Sequence, residues 1–149
     1  MFDLINGLPW HPLVVHAVVV LLPLAMLGTV LVAVVPRWRR PYGPLVVAVA
    51  AVATALVPVA TSSGEALEKH VGDPGRHAEL GDQLIWFALP LLVLVMALVV
   101  LDRRGTARRA LTTTVAVLAV VAALASTVQV YRIGDTGARA AWADQVTSR

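Results

Sequence analysis

The chain has 149 residues, of which 58% are hydrophobic and only 14% charged, with a mean hydropathy of +0.80. A soluble domain carries about 25% charged residues, so the composition excludes a soluble enzyme and points to a single integral membrane domain over residues 1–149. The net charge of +3 and pI near 10.2 come from arginines gathered in two short segments beside apolar runs. That is a topology signal, not a nucleic-acid footprint. The absence of cysteine removes disulfides, thiolate metal sites, cysteine-ligated iron–sulfur clusters and covalently attached haem.

The first element opens with Trp10-His11-Pro12-Leu13-Val14-Val15-His16. From Leu13 to Val35 only His16, Pro23, Gly28 and Thr29 are not plainly apolar, and the run is long enough to span a bilayer core of about 30 Å. An ionisable His16 inside such a helix is a candidate functional residue by default. The leader holds Asp3 and no Lys or Arg, unlike a signal peptide, so this segment is expected to be retained. Three further apolar runs follow, giving predicted spans at residues 12–35, 44–63, 80–101 and 110–131.

Between the first and second spans lie Arg37, Arg39 and Arg40, and between the third and fourth lie Arg103, Arg104, Arg108 and Arg109. The positive-inside rule puts both segments in the cytoplasm. The expected location is the cell membrane, multi-pass, with both termini extracytoplasmic. The termini, the loop at residues 64–79, all four histidines and most carboxylates then face outward. Trp38 and Tyr42 at one level, and Trp10, Trp86, Tyr131 and Trp142 at the other, read as interfacial anchors. Alanines at 48, 50, 51, 53, 55, 116, 119, 122, 123 and 125 permit close helix approach. After the last span, Gly134 and Gly137 suggest a C-cap and a tight turn.

The fold class expected is all-α: a four-helix transmembrane bundle, up-down-up-down, made of two helical hairpins with a weak internal repeat. His11 to Arg37 and His77 to Arg103 are equal separations. On that overlay His16 falls on Asp82 and Gly64-Glu65 falls on Gly134-Asp135. His11 and His77 then share one height, and His16 and Asp82 a deeper one, about 7 Å further in. The overlay predicts that His16 and Asp82 are neighbours. It also predicts an outward-facing cluster in the bundle mouth, closed by Glu65, His70 and Asp135.

Read together, the His11-Pro12-Leu13-Val14-Val15-His16 opening, Gly64-Glu65-Ala66-Leu67-Glu68, His77-Ala78-Glu79-Leu80-Gly81-Asp82 and Arg132-Ile133-Gly134-Asp135-Thr136-Gly137-Ala138 give the chain a known look. It resembles the bacterial membrane proteins grouped as domain of unknown function 2231, in their short actinobacterial form, over almost its whole length. The resemblance implies four helices and no established activity. Some related membrane families bind b-type haem, so it also implies a haem role by analogy. Relatives often carry Gly-His-x-Gly after the last span, and Gly134-Asp135-Thr136-Gly137 lacks that imidazole.

Two functional readings follow. In the first, the outer cluster binds a cofactor, with a role in electron transfer and a membrane or periplasmic redox partner. Haem b would take His11 and His77, with His16 nearby and Arg132 and Arg139 (or Arg76) meeting the propionates. A divalent transition metal would draw on His11, His16, His77, Asp82, Glu65 and Glu79. In the second, the chain is a non-catalytic accessory or scaffold protein whose polar cluster only closes the bundle mouth. The lipid bilayer is a partner in both, nucleic acid in neither, and no feature specifies an oligomer. A proton pathway is disfavoured because the cytoplasmic half of every span lacks ionisable residues. A serine hydrolase is disfavoured because no nucleophile-elbow pattern surrounds Ser62, Ser63 or Ser126.

Overall fold

In hydrocarbon a backbone must satisfy its own polar groups, so long apolar runs fold as helices. The computed structural model describes residues 4, 5, 8–72, 75–105 and 108–147. Helix α1 runs His11–Val34, α2 Arg39–Val71, α3 Arg76–Asp82, α4 Ile85–Arg104 and α5 Arg109–Thr147, with a 3-10 turn at Pro36–Trp38. The only extended pairing among the described residues joins Leu4–Ile5 to Leu8–Pro9. Four helical stretches are long and apolar enough to cross a membrane: His11–Val34, Pro36–Lys69, Arg76–Arg104 and Arg109–Trp142. The all-α four-span reading holds. Each of α1 and α4 packs on both α2 and α5, while α1 and α4 meet mainly across the diagonal. Spatial order around the ring therefore follows chain order, as in an up-down-up-down bundle.

Both faces of α1 are apolar, so polarity does not mark which one turns inward. On α1 the buried positions are Val18, Leu22, Ala25, Met26, Thr29, Val32 and Ala33, while Leu13, Val20, Leu24, Leu27, Leu31 and Val34 are exposed to the lipid side. The alternating steps of three and four are those of left-handed bundle packing. Ala50, Ala53, Ala116, Ala119 and Ala123 are buried as small contact residues, but Ala48 and Ala55 face outward.

The tightest crossings are at glycine. A Cβ on Gly28 would lie 2.8 Å from Val46 Cγ2, and one on Gly43 would lie 2.6 Å from Val99 Cγ2. Replacing a helical glycine with alanine ordinarily gains about 1 kcal/mol. At Gly43 the neighbour is a β-branched side chain with little rotamer freedom, and overpacking costs about 1–3 kcal/mol. Gly43→Ala is therefore expected to lower the thermal midpoint in detergent. Gly81→Ala, where nothing lies within 4 Å of the new methyl, is expected to raise it.

Hydroxyl and amide side chains bind the start of the third span to its neighbours. The Gln129 side chain is 1% exposed and its Nε2 donates to the Leu80 carbonyl at 2.9 Å. Ser126 Oγ donates to the Phe87 carbonyl at 3.3 Å and Thr54 Oγ1 to the Ala88 carbonyl at 3.4 Å. The last two lie within one helical turn of Pro90, which lacks the N–H that would continue the helical ladder.

Two boundaries differ from expectation. The segment at residues 36–43 is helical from Pro36 onward, with a single break at Val35. Arg39 explains this: it is 8% exposed, and its Nε and Nη2 donate to the carbonyls of Val32 and Ala33 at 3.0 and 2.9 Å. It thereby closes the C-terminus of α1, whose carbonyls have no helical partner. The turn expected at Gly134 and Gly137 is absent, and α5 continues to Thr147. An Asp135–Arg139 ion pair at 2.9 Å, one helical turn apart, supports that continuation. The Asp73-Pro74 turn lies outside the described residues.

Candidate paired-histidine site

His11 is the first residue of α1 and is half-buried against α2. Its Nδ1 lies 3.1 Å from the Ala60 carbonyl and 2.8 Å from Ser63 Oγ. Ser63 Oγ is itself 2.8 Å from the Ala60 carbonyl and donates its proton there. A carbonyl only accepts, so the imidazole proton sits on Nδ1 and is shared between the carbonyl and the serine oxygen. Nε2 then keeps its lone pair. The ring rests on Gly64, where a Cβ would come 3.2 Å from His11 Cε1.

His77, on α3, repeats this arrangement against α5. Its Nδ1 donates to the Ile133 carbonyl at 3.1 Å. Thr136 Oγ1 reaches the same carbonyl at 3.1 Å. A Cβ on Gly137 would lie 2.9 Å from both Cε1 and Nδ1 of the ring. In each hairpin one carbonyl takes the imidazole proton, a hydroxyl three residues on bonds the same carbonyl, and a glycine one residue later seats the ring. The structural equivalences are therefore His11 with His77, Ala60 with Ile133, Ser63 with Thr136 and Gly64 with Gly137. The sequence overlay paired Gly64 with Gly134 instead, one helical turn short.

The two rings belong to elements on opposite corners of the bundle at one end, and His11 is within electrostatic reach of His77 and of Glu68. In a metal-ligating histidine the nitrogen away from the metal is held by a carbonyl or carboxylate, which sets tautomer and ring orientation. Both imidazoles meet that condition.

The remaining predicted site residues are exposed. His16 is exposed, with Nδ1 2.5 Å from the Pro12 carbonyl of its own helix. It shares the lipid-facing stripe with Leu13 and Val20. No hydrogen bond or ion pair joins it to Asp82, which is also exposed, so the expected His16–Asp82 neighbourhood is corrected. Shared height was not enough. Five residues turn a helix through about 140° past a full circle, which carries His16 away from the face that holds His11. Glu65 and Glu79 are exposed, as are Arg76 and Arg132, and Arg139 is paired with Asp135. Among the described residues no three His, Asp or Glu side chains come together as a metal shell. The side chain of His70 lies outside the described residues.

A bundle of four candidate membrane spans defines the class: a multi-pass membrane protein. Within it, the chain belongs to the family described as predicted membrane protein (DUF2231), which matches residues 7–149. The match includes both histidines and both glycine seats. No curated protein and no solved structure is a significant match to the chain.

Proposed function

We propose that His11 and His77 would hold a haem b at the mouth of the bundle, in a membrane protein that passes electrons to a membrane or periplasmic partner. The observation that carries this reading is the pair of Nδ1–H bonds to Ala60 and Ile133, which leaves the Nε2 lone pair of each ring free to ligate. The donor set fits haem: two imidazoles complete its coordination, whereas a bare zinc or copper ion draws three or four protein ligands. Bound there, the haem supplies one-electron chemistry. The chain's own part is to hold both rings in one tautomer against glycine, with Arg132, Arg139 and Arg76 at the same end as cations for the propionates. Both termini and this mouth face away from the cytoplasm in this reading, as the arginine segments direct.

The test is a haemin titration of protein purified in mild detergent, with zinc and copper in parallel. A saturable Soret shift at one haem per chain, with the spectrum of a low-spin bis-imidazole centre, is expected. Protein indifferent to haem and to both metals would leave the accessory or scaffold reading in its place.

A further inference from the structure

We propose that the end of the bundle opposite the histidines is a binding surface for anionic phospholipid headgroups. Arg37, Arg40, Arg103, Arg104, Arg108 and Arg109 are all exposed there. The one carboxylate at this end, Asp102, is already shared, with Oδ1 3.6 Å from Arg39 Nη1 and Oδ2 3.6 Å from Arg40 Nε. Among the described residues Arg37, Arg103, Arg104, Arg108 and Arg109 have no ion-pair partner. The first turns of α2 and α5, which begin at this end, contain no acidic residue, so nothing there offsets the excess.

These cations do not stand clear of the apolar surface. Val34, Leu45, Val100 and Leu111 are exposed within two helical turns of them. Tyr42, also exposed, makes an edge-to-face contact with Trp38 at 6.0 Å between ring centroids. An anion that satisfies both features carries its negative charge at the guanidinium level and a hydrocarbon chain along the aliphatic skirt. That is a phospholipid, and not a free phosphate. An anionic headgroup gains about five-fold in binding per nearby arginine, the equivalent of about 1 kcal/mol each.

Trp38 stands at this level and can report occupancy. In a protein carrying Trp10→Phe, Trp86→Phe and Trp142→Phe, quenching of Trp38 by brominated phosphatidylglycerol or brominated phosphatidylcholine in reconstituted bilayers measures relative affinity. Phosphatidylglycerol is expected to bind at least about five-fold better. The preference should shrink in R108Q/R109Q and approach unity in R103Q/R104Q/R108Q/R109Q. It should be unchanged in R132Q/R139Q at the other end and insensitive to millimolar inorganic phosphate. Arg103, Arg104, Arg108 and Arg109 are exposed and, among the described residues, without an ion-pair partner, so their substitution keeps the fold, which circular dichroism checks in every variant. Equal quenching by the two lipids, a preference that survives the quadruple substitution, or one abolished by inorganic phosphate would each overturn the proposal.

Discussion

Alanine at either His11 or His77 is expected to abolish the Soret band of haem-loaded protein, and His16→Ala to leave it intact. In the proposed site each ring would contribute one free Nε2, so loss of either would remove a ligand outright. His16 holds the Pro12 carbonyl of its own helix and faces the lipid side, where it reaches neither ring. The fold should survive both losses. When His11 is removed, the Ala60 carbonyl keeps its bond from Ser63, and when His77 is removed, the Ile133 carbonyl keeps that from Thr136. Neither acceptor is orphaned, and the cost is about 1 kcal/mol of net hydrogen bonding. Imidazole added to His11→Ala or His77→Ala protein should restore the band by filling the vacated space, which separates lost ligation from lost structure. A band that persists in both variants would place the haem elsewhere; a band lost only in His16→Ala would restore the deeper residue to the site.

Span number and hairpin order were legible because they follow from apolar run length and arginine placement, both of which the bilayer makes nearly obligatory. The inward faces were not. In a soluble helix polarity marks the outer side, but here lipid and core are equally apolar, so buried Leu22 and exposed Leu24 cannot be told apart by residue type. That His11 and His77 come within electrostatic reach of one another was legible from counting residues back to the arginines. Their azimuth was not, and the same counting wrongly joined His16 to Asp82. The glycine seats were hidden because Gly137 was read as a turn signal, although the Ser63-Gly64 and Thr136-Gly137 pairs, each a hydroxyl followed by glycine on the helix facing a histidine, were visible in the chain. Arg39 was counted as one more positive-inside charge. Its burial depends on carbonyls seven and six residues back, left unpaired by the break at Val35, and no local pattern announces that.

Arg39 carries the largest expected effect on stability. Its guanidinium makes two hydrogen bonds to the carbonyls that end α1 and a contact with Asp102 on α4, so one side chain ties three of the four spans together. Hydrogen bonds to a charged group contribute about 1.5–3 kcal/mol each, and breaking a buried pair strands its partners at about 3–5 kcal/mol. Arg39→Ala is therefore expected to destabilise the bundle by about 3 kcal/mol or more. Arg39→Lys keeps the charge but loses the planar fork that reaches two carbonyls and a carboxylate at once, so it should recover less than half of the loss. Asp102→Ala should cost less, because Arg39 retains both carbonyls. The double variant Arg39→Ala/Asp102→Ala should fall short of the sum, since the carboxylate stranded by the first substitution is removed by the second. Reversible unfolding in mixed micelles of detergent and denaturing surfactant measures all four. An Arg39→Ala protein as stable as Arg40→Ala, whose side chain is 73% exposed, would show that closing the end of α1 contributes nothing.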